Sequence, residues 1–510
     1  MVYLLGIDVG TSVVKSVLFN LQGDELIVSR RTPAIQRDKP GWSEVSMEGL
    51  WQDVLATLRE VASSEWLRDG EIGGIGLSGM CCSSWLLDGA GQPVRNAILW
   101  NDGRAASIIG DWQRKGVLDE VFRIGGNVMF PGYTVAVLRW LQENEPETLE
   151  RARWSVFCKD WIRYRLTGVI ATEHSDAGYL PYDLRTQEYS DTLLRACGIE
   201  STRRLFPDLI ESGEVAGRLL PEVAQATGLA AGIPVVAGLV DVAASTIGAG
   251  AYRPGQACTI VGTSFLNNFI LDAPAFEPAG VGVQTRSGSR GWVRSLVNTA
   301  GTMNLEWFIQ QFCAAERTSE EAAGRSIYQW AEAAAAAIPI GCEGVLYHPY
   351  LNTTGVISPF LNPVARAQFF GISVEHTRAH LLRAVYEGTA LAMLDSYLQV
   401  DVDVDEWYVA GGGKRSPFWT QMFADATGRT ILVPQGEELG ARGVAILAGV
   451  ACGAYSSVED AMRQVIHVSR EHQPDAEAHE KYQRIYTLYR HIYEHVMDDW
   501  WERYHLLATL

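Results

Sequence analysis

Gly6-Ile-Asp-Val-Gly-Thr-Ser12, inside LLGIDVGTSVVKSVLFN, and Thr259-Ile-Val-Gly-Thr-Ser264, inside QACTIVGTSFLNNFIL, are one short pattern repeated half a chain apart. Each is an apolar, β-branched run, then Gly-Thr-Ser, then a second apolar run, which predicts two strands joined by a tight turn. Glycine lets backbone come close to a ligand, and such a turn aims amides and hydroxyls at an anion. The repeat predicts two similar domains facing each other across a cleft, each with a phosphate-gripping hairpin. The boundary is placed near residue 250, giving domains 1–249 and 250–510, on the repeat alone.

The 510-residue chain is 47% apolar and 20% charged, ordinary for a globular protein with large cores. Its formal net charge of −18 argues against nucleic-acid binding and leaves room only for a local basic pocket. No apolar run reaches the roughly 18 to 20 residues of a membrane-spanning helix. The N-terminus MVYLLGIDVG lacks a positive leader region and enters a strand directly, so the expected location is the cytoplasm. Eight scattered cysteines make neither a disulfide scaffold nor a zinc spacing, and the adjacent pair Cys81-Cys82 fits no metal motif.

Around the first pattern the periodicity predicts strands at Tyr3–Val9, Val13–Asn20 and Glu25–Arg31, a helix at Ser46–Arg59 and strands at Ile72–Ser78 and Ser84–Asp88. Helices are expected at Thr134–Asn144 and Trp154–Leu166, and a strand at Ile233–Leu239 running into Asp241. In the second half, strands at Ala257–Val261, Phe265–Leu271, Trp292–Val297 and Trp407–Ala410 alternate with helices at His376–Val400, Pro417–Thr427 and Gly440–Gly449. Ala478–Tyr504 reads as one long amphipathic helix.

Several constellations carry candidate chemistry. Asp8 with Gly10, Thr11, Ser12 and Lys15 is either an ordinary hairpin or a site where the carboxylate holds Mg²⁺ and the hydroxyls reach phosphate. Asp241 follows an apolar run and precedes a small-residue helix; it is either a helix N-cap or a general base facing a cleft. Gly411-Gly-Gly-Lys414 opens a helix after a strand, a Gly-rich turn that fails the Walker spacing. Trp100-Asn-Asp-Gly-Arg104 is either a polar turn closed by an Asp–Arg pair or a carbohydrate-gripping segment. His376 and His380 lack the glutamate of a zinc helix, and His380 reads as structural.

Taken in order, these segments resemble the FGGY carbohydrate kinases over essentially the whole chain. GIDVGTSVVKSVLFN and TIVGTS resemble the two phosphate hairpins, ILWNDGRA the sugar segment of the xylulose-kinase branch, and GNVMFPGYTVAVLRWLQENEP the first family signature. VVAGLVDVAASTIGAG resembles the segment with the catalytic aspartate, FFGISVEHTRAHLLRAVYEGTA the second signature, and VAGGGKRSPFWTQMFADATG the adenosine segment. The resemblance implies an α/β fold of two ribonuclease-H-like domains of the actin/hexokinase/Hsp70 ATPase type around a deep cleft. The first domain would bind sugar and the second nucleotide.

It also implies an ATP- and Mg²⁺-dependent kinase acting on a small sugar, most simply a ketopentose such as xylulose, with an erythritol-like polyol as the alternative. A sensor ATPase without a sugar acceptor is the reading from a different class. Asp241 would be the general base; Asp8 and Asp241 would place the metal; Gly10, Thr11, Ser12, Lys15, Gly262, Thr263, Ser264, Gly411, Gly412, Gly413 and Lys414 would hold ATP. Met80, Cys81, Cys82, Trp100, Asn101, Asp102 and Arg104 would line the sugar side with Asp241. A homodimer is common in such kinases, and the sequence itself does not fix the oligomeric state. The chain departs from the xylulose-kinase pattern at Met80-Cys-Cys-Ser83, where that branch has Gln-Met-His-Gly, and at Asn352–Val356 and Val137. Cys82 thus replaces a histidine able to bond a sugar hydroxyl.

Overall fold

The computed structural model describes residues 1–299 and 301–510. They form two compact units: Met1–Pro254 with Ile270–Arg294 and Gly436–His467, and Gly255–Phe269 with Ser295–Gln435 and Val468–Leu510.

In the first unit the sheet runs Val215–Arg218, Pro234–Val236, Glu71–Gly79, Val2–Val9, Val14–Phe19, Glu25–Arg31, with Leu239–Val240 also pairing with Glu71–Gly79. Val2–Val9 lies parallel to Glu71–Gly79 and antiparallel to Val14–Phe19. Its central strand is apolar on both faces because helices cover both. On one face lies Met47–Ala62, started by Ser46 accepting the Gly49 amide at 3.1 Å and burying Leu50, Trp51, Val54, Leu58 and Val61. Each such side chain contributes about 1.5–3 kcal/mol on burial.

On the other face lies Leu439–Ala451, and here close approach dictates glycine. A Cβ on Gly76 would sit 2.0 Å from the Val444 carbonyl oxygen, and one on Gly6 would sit 2.1 Å from that of Ala441. The helix's far side meets Asp241–Ala249 the same way, with Gly443 against the Ala244 oxygen. This three-layer contact sets the end of Val2–Val9, which carries Asp8, beside the start of Leu439–Ala451.

In the second unit the strands lie in the order Trp292–Asn298, Phe265–Leu271, Gln256–Val261, Glu406–Ala410, Ile431–Pro434, Val468–His472. Phe265, Phe269, Trp407, Trp419 and Phe423 fill its core. Arg378–Leu398 is buried nearly all round, and Pro417–Thr427 starts on Ser416, whose hydroxyl accepts the Trp419 amide at 3.0 Å. His380 serves that first helix as a cap, its Nδ1 accepting the Thr377 amide at 3.0 Å.

Both predicted hairpins form, and their turns differ. In the first, Val9 pairs with Val14 and the Gly10 amide donates to the Val13 oxygen at 3.0 Å. In the second, Val261 pairs with Phe265 and the Gly262 amide donates to the Ser264 oxygen at 3.1 Å. Identical Gly-Thr-Ser triplets therefore close loops of different length.

Three sequence expectations change. Trp154–Leu166 divides into a strand, Trp154–Val156, paired with Trp85–Leu87, and a helix, Cys158–Thr167, because Asp160 reaches back to the Phe157 amide at 3.3 Å and starts the helix there. Ile233–Leu239 breaks at Gly238, whose φ of 91° leaves the strand region. Ala478–Tyr504 is two helices, Ala476–His495 and Met497–Thr509, meeting at Val496 with ψ of 9°. The apolar face of the first, Tyr482, Tyr486, Tyr489 and Tyr493, is buried; past the break Trp500 still packs against Tyr350 and Phe360, while Trp501, Tyr504 and Leu506 are exposed.

Candidate active site

Asp8, Ser78 and Asp241 come from strands that share one edge of the first-unit sheet. Asp8 is level with Ser78, and Leu239 and Val240 are level with Ser78 and Gly79. Asp241 therefore leaves its short strand on the far side of Glu71–Gly79 from Asp8. Both carboxylates are partly exposed. Burial, reinforced by the charge of Asp8, pushes the Asp241 carboxyl up to about 7, and its Oδ1 accepts the Val242 amide at 2.8 Å. Asp8 is also raised by burial, partly offset by Lys15 across the hairpin.

Lys15 does not project alone. Its ammonium pairs with Glu438 at 2.6 Å, and Arg30 pairs with the same carboxylate. Burial favours a neutral Glu438, but these two cations outweigh it and hold the group ionised. The structure thus places Lys15 in a Lys–Glu–Arg cluster behind Asp8, and Glu438 is a member the sequence did not reveal.

At the turn, Thr11 is partly exposed and Ser12 exposed. Trp100, 41% exposed, donates its indole N–H to Thr11 Oγ1 at 2.8 Å, and Thr11 lies 3.6 Å from Met80 Sδ. Trp100 and Met80 therefore join the first hairpin turn. Cys82 is fully buried with φ of 56°, and Ser83 has φ of 78°. Ser83 is pinned on both sides: its Oγ accepts the Trp85 indole N–H at 2.7 Å, and its carbonyl accepts the Thr134 hydroxyl at 2.8 Å. Of the two thiols, Cys81 is the one with exposed surface. Contact with Cys82 lowers its pKa, but burial and the charges of Asp241 and Asp176 raise it on balance, and Tyr179 lies against it.

The Trp100–Arg104 segment divides. Asp102 is buried and fully engaged: it accepts the Ser43 amide at 2.6 Å, the Arg104 amide at 2.9 Å and two Arg104 side-chain N–H groups at 2.8 and 2.9 Å. Arg104 stacks on Trp42 at 3.8 Å and bonds Glu44 at 2.6 Å. Asp102 and Arg104 thus form the Asp–Arg pair of a polar turn, and they present Trp100 and the exposed Asn101.

In the second unit, Thr263 is exposed on its turn and Gly262 and Ser264 are partly exposed. Gly411 has φ of 81°, and a Cβ there would meet the Val261 oxygen at 2.8 Å, so the strand end Glu406–Ala410 and the Val261 turn approach closely only with glycine. Gly412 is exposed with open space beside it, while Gly413 is buried against Val261. Lys414 is buried, its ammonium 3.4 Å from the Pro434 oxygen.

The largest feature missed from the sequence is a buried ionic cluster in the first unit. Lys159, fully buried, pairs with Asp160 at 2.9 Å, Asp176 at 2.8 Å and Glu173 at 3.2 Å. Arg163 pairs with Asp160 at 2.9 Å and donates to the Ala237 oxygen at 3.0 Å. Burial works against the Lys159 charge, but the three carboxylates keep it protonated. The only signal in the sequence is charged residues at Lys159, Asp160 and Arg163 amid apolar ones, a pattern that a solvated helix face also shows.

The first unit thus gathers two raised carboxyls, Asp8 and Asp241, on either side of Glu71–Gly79, with the exposed Trp100 at the hairpin turn. Comparison with known proteins supplies the class. Residues 3–248 match the N-terminal domain and residues 257–452 the C-terminal domain of the FGGY family of carbohydrate kinases, and the chain belongs to that family. It is 33% identical over 505 residues to the xylulose kinase of Bacillus subtilis, covering 98% of each chain. It is 31% identical over 498 residues to the L-xylulose/3-keto-L-gulonate kinase of Escherichia coli, covering 96% of each. The crystal structure of a ligand-bound xylulose kinase from Lactobacillus acidophilus superposes with a TM-score of 0.90 at 22% identity, over 98% of this chain and 100% of that one. The fold is the two-domain, actin/hexokinase-like fold of these kinases, and the protein is an ATP-dependent sugar kinase. Among the described residues no helix is long and apolar enough to cross a membrane.

Proposed function

We propose that this kinase phosphorylates a small ketose, a ketopentose such as xylulose, with Asp241 as general base. The observation that carries the reading is the Asp241 carboxyl at about 7, at a strand end across Glu71–Gly79 from Asp8 and within electrostatic reach of both Asp8 and Cys81. A base with that affinity takes a proton at neutral pH and still ionises in the resting protein. Asp241 removes the proton of the acceptor hydroxyl while its oxygen attacks the γ-phosphorus. The new O–P bond forms as the bond to the β-phosphate bridging oxygen breaks, and ADP leaves.

Trp100 offers an apolar face to the sugar, and Asn101, Cys81 and the Met80–Ser83 loop shape the acceptor side. Gly10, Thr11 and Ser12 in the first unit, and Gly262, Thr263, Ser264 and Gly411–Gly413 in the second, are assigned to ATP. Lys15 and Lys414 act at one remove, through Glu438 and the Pro434 carbonyl.

Asp8 and Asp241 suit Mg²⁺: two mutually repelling oxygen donors, both raised by burial, are relieved by a hard divalent cation. Among the described residues no group of three or more His, Cys, Asp or Glu side chains gathers to hold a metal ion; Asp8 and Asp241 are the residues that would hold it. When bound, the ion neutralises phosphate charge during transfer. We place the enzyme in the cytoplasm, where the metabolic kinases it resembles would meet ATP and sugar.

The test is ADP release by purified protein with pentuloses, 3-keto-hexulonates, hexuloses, tetritols, glycerol and gluconate. The highest kcat/KM should fall on a ketopentose. No turnover with any acceptor, or ATP consumption indifferent to acceptor, overturns the reading.

A further inference from the structure

Asp241 is delivered by very little regular structure. Its strand is only Leu239–Val240, cut from Pro234–Val236 by Gly238. The Val240 amide, immediately before the carboxylate, donates to Ser175 Oγ at 2.9 Å. That hydroxyl in turn donates to Glu173, so one side chain is both acceptor and donor.

Glu173 is saturated by partners. It accepts the Ser175 amide at 2.7 Å, the Asp176 amide at 2.9 Å and the Ser212 hydroxyl at 2.8 Å, and it pairs with Lys159 at 3.2 Å. The Ser175 carbonyl accepts the Thr285 hydroxyl. Ser175, Glu173, Asp176 and Lys159 are all fully buried. A buried ionic group is weak evidence for stability, since apolar residues of the same volume often serve as well. A satisfied polar network does rigidify what it holds. Here it holds the peptide next to the proposed base.

We propose that Ser175 is a positioning residue for phosphoryl transfer: its hydroxyl, locked by Glu173 and the buried Lys159, fixes the Val240 amide and so aims the Asp241 carboxylate. The inference rests on the assignment of Asp241 as base. A 1 Å misplacement of a reacting group lowers turnover about a hundredfold, so a single clamp on the residue next to the base has room to act.

The experiment compares the full chain with Ser175→Ala, Ser175→Cys, Ser175→Thr and Asp241→Asn, using the best ketopentose of the screen. The alanine variant should lose about ten- to a hundredfold in kcat while its KM for ATP stays within about twofold. Its acid limb in kcat/KM should move to lower pH by about half a pH unit or more, as a loosened carboxylate gains water. Threonine, which keeps the hydroxyl, should recover both values. The charged and titratable groups facing Asp241 are Asp8, Cys81, Cys82, Cys158 and Tyr179, and none is altered. A merely structural role would lower the active fraction and the melting temperature without moving the limb. An alanine variant with wild-type kcat and an unmoved limb overturns the inference. If that variant does not fold, cysteine against threonine decides: a loss with cysteine alone supports the clamp, and equal rates overturn it. Wild-type turnover by Asp241→Asn would instead remove the base assignment itself.

Discussion

The sheets of the two units share an order and a hairpin, yet their chemistry diverges at the same backbone positions. Asp8 precedes the first Val-Gly-Thr-Ser, and Ile260 precedes the second. Asp8 faces Lys15 across its hairpin, whereas Ile260 faces Leu266. Around the first turn gather Glu438, Arg30 and Asp241. Under the second, neutral polar groups satisfy one another: Thr259 bonds Asn267 at 2.8 Å and accepts the Trp407 indole N–H at 2.8 Å. A duplicated scaffold fixes where strand ends lie, and the residues at those ends decide which copy gathers ionisable side chains.

The harshest way to break that comparison is Asp241→Asn. It should lower kcat by about a thousandfold, as loss of a general base does, while ATP affinity by calorimetry stays unchanged. Loss of ATP binding would put Asp241 on the nucleotide instead. Next is the packing beneath the first unit's strand ends. Gly76→Ala forces a methyl to within 2.0 Å of the Val444 oxygen and should cost about 3 kcal/mol, read as a fall in the urea midpoint. Gly412→Ala in the second unit, with open space beside it, serves as the tolerant counterpart.

How far the sequence carries follows from the same contrast. Hairpins, the Thr134–Asn144 and Pro417–Thr427 helices and the placing of Asp8 and Asp241 at strand ends were legible because apolar periodicity and Gly-Thr-Ser act locally. The one-residue difference between the turns was not, because register depends on which carbonyl the glycine amide finds. Trp154–Leu166 hid a strand because three residues cannot show a period. Asp102 reads as a candidate sugar ligand in sequence; only the fold shows its oxygens spent on Ser43 and Arg104. Ser175 and Glu173 lie more than sixty residues from Asp241 along the chain, and no local pattern links them.

Smaller changes sharpen the division of labour. Asp8→Asn should reduce kcat by about ten- to a hundredfold and raise the Mg²⁺ concentration for half-maximal rate, since one or two carboxylates anchor that ion. Chelation with EDTA should abolish turnover in both proteins, and readdition should restore it. Thr263→Val in the second unit should raise the KM for ATP about tenfold, the worth of one hydrogen bond to a charged group, without moving the KM for sugar. A shift in the sugar KM instead would assign that turn to the acceptor.

The smallest effect tests whether Asp241 is held against its own ionisation. Its folded-state pKa of about 7 lies above the ordinary carboxylate value. The folded state therefore binds a proton that the unfolded chain has already released between about pH 4 and 7. Stability from this group is complete at the low end of that window and falls as pH rises through it, whereas kcat/KM rises over the same range as the base ionises. Asparagine removes the penalty. Asp241→Asn should melt a few degrees above the wild type at pH 8, about 2–4 °C per kcal/mol for a unit of this size, and the gap should close towards pH 5. Added Mg²⁺ should narrow the pH 8 gap by favouring the ionised carboxylate. No comparable pH-dependent gain should follow from replacing Ile260 by asparagine, because the second hairpin holds no carboxylate at that position. Equal melting of Asp241→Asn and wild type at every pH would mean that the carboxylate is solvated in the resting protein, and its reach into neutral-pH base catalysis would then have to come from bound substrate.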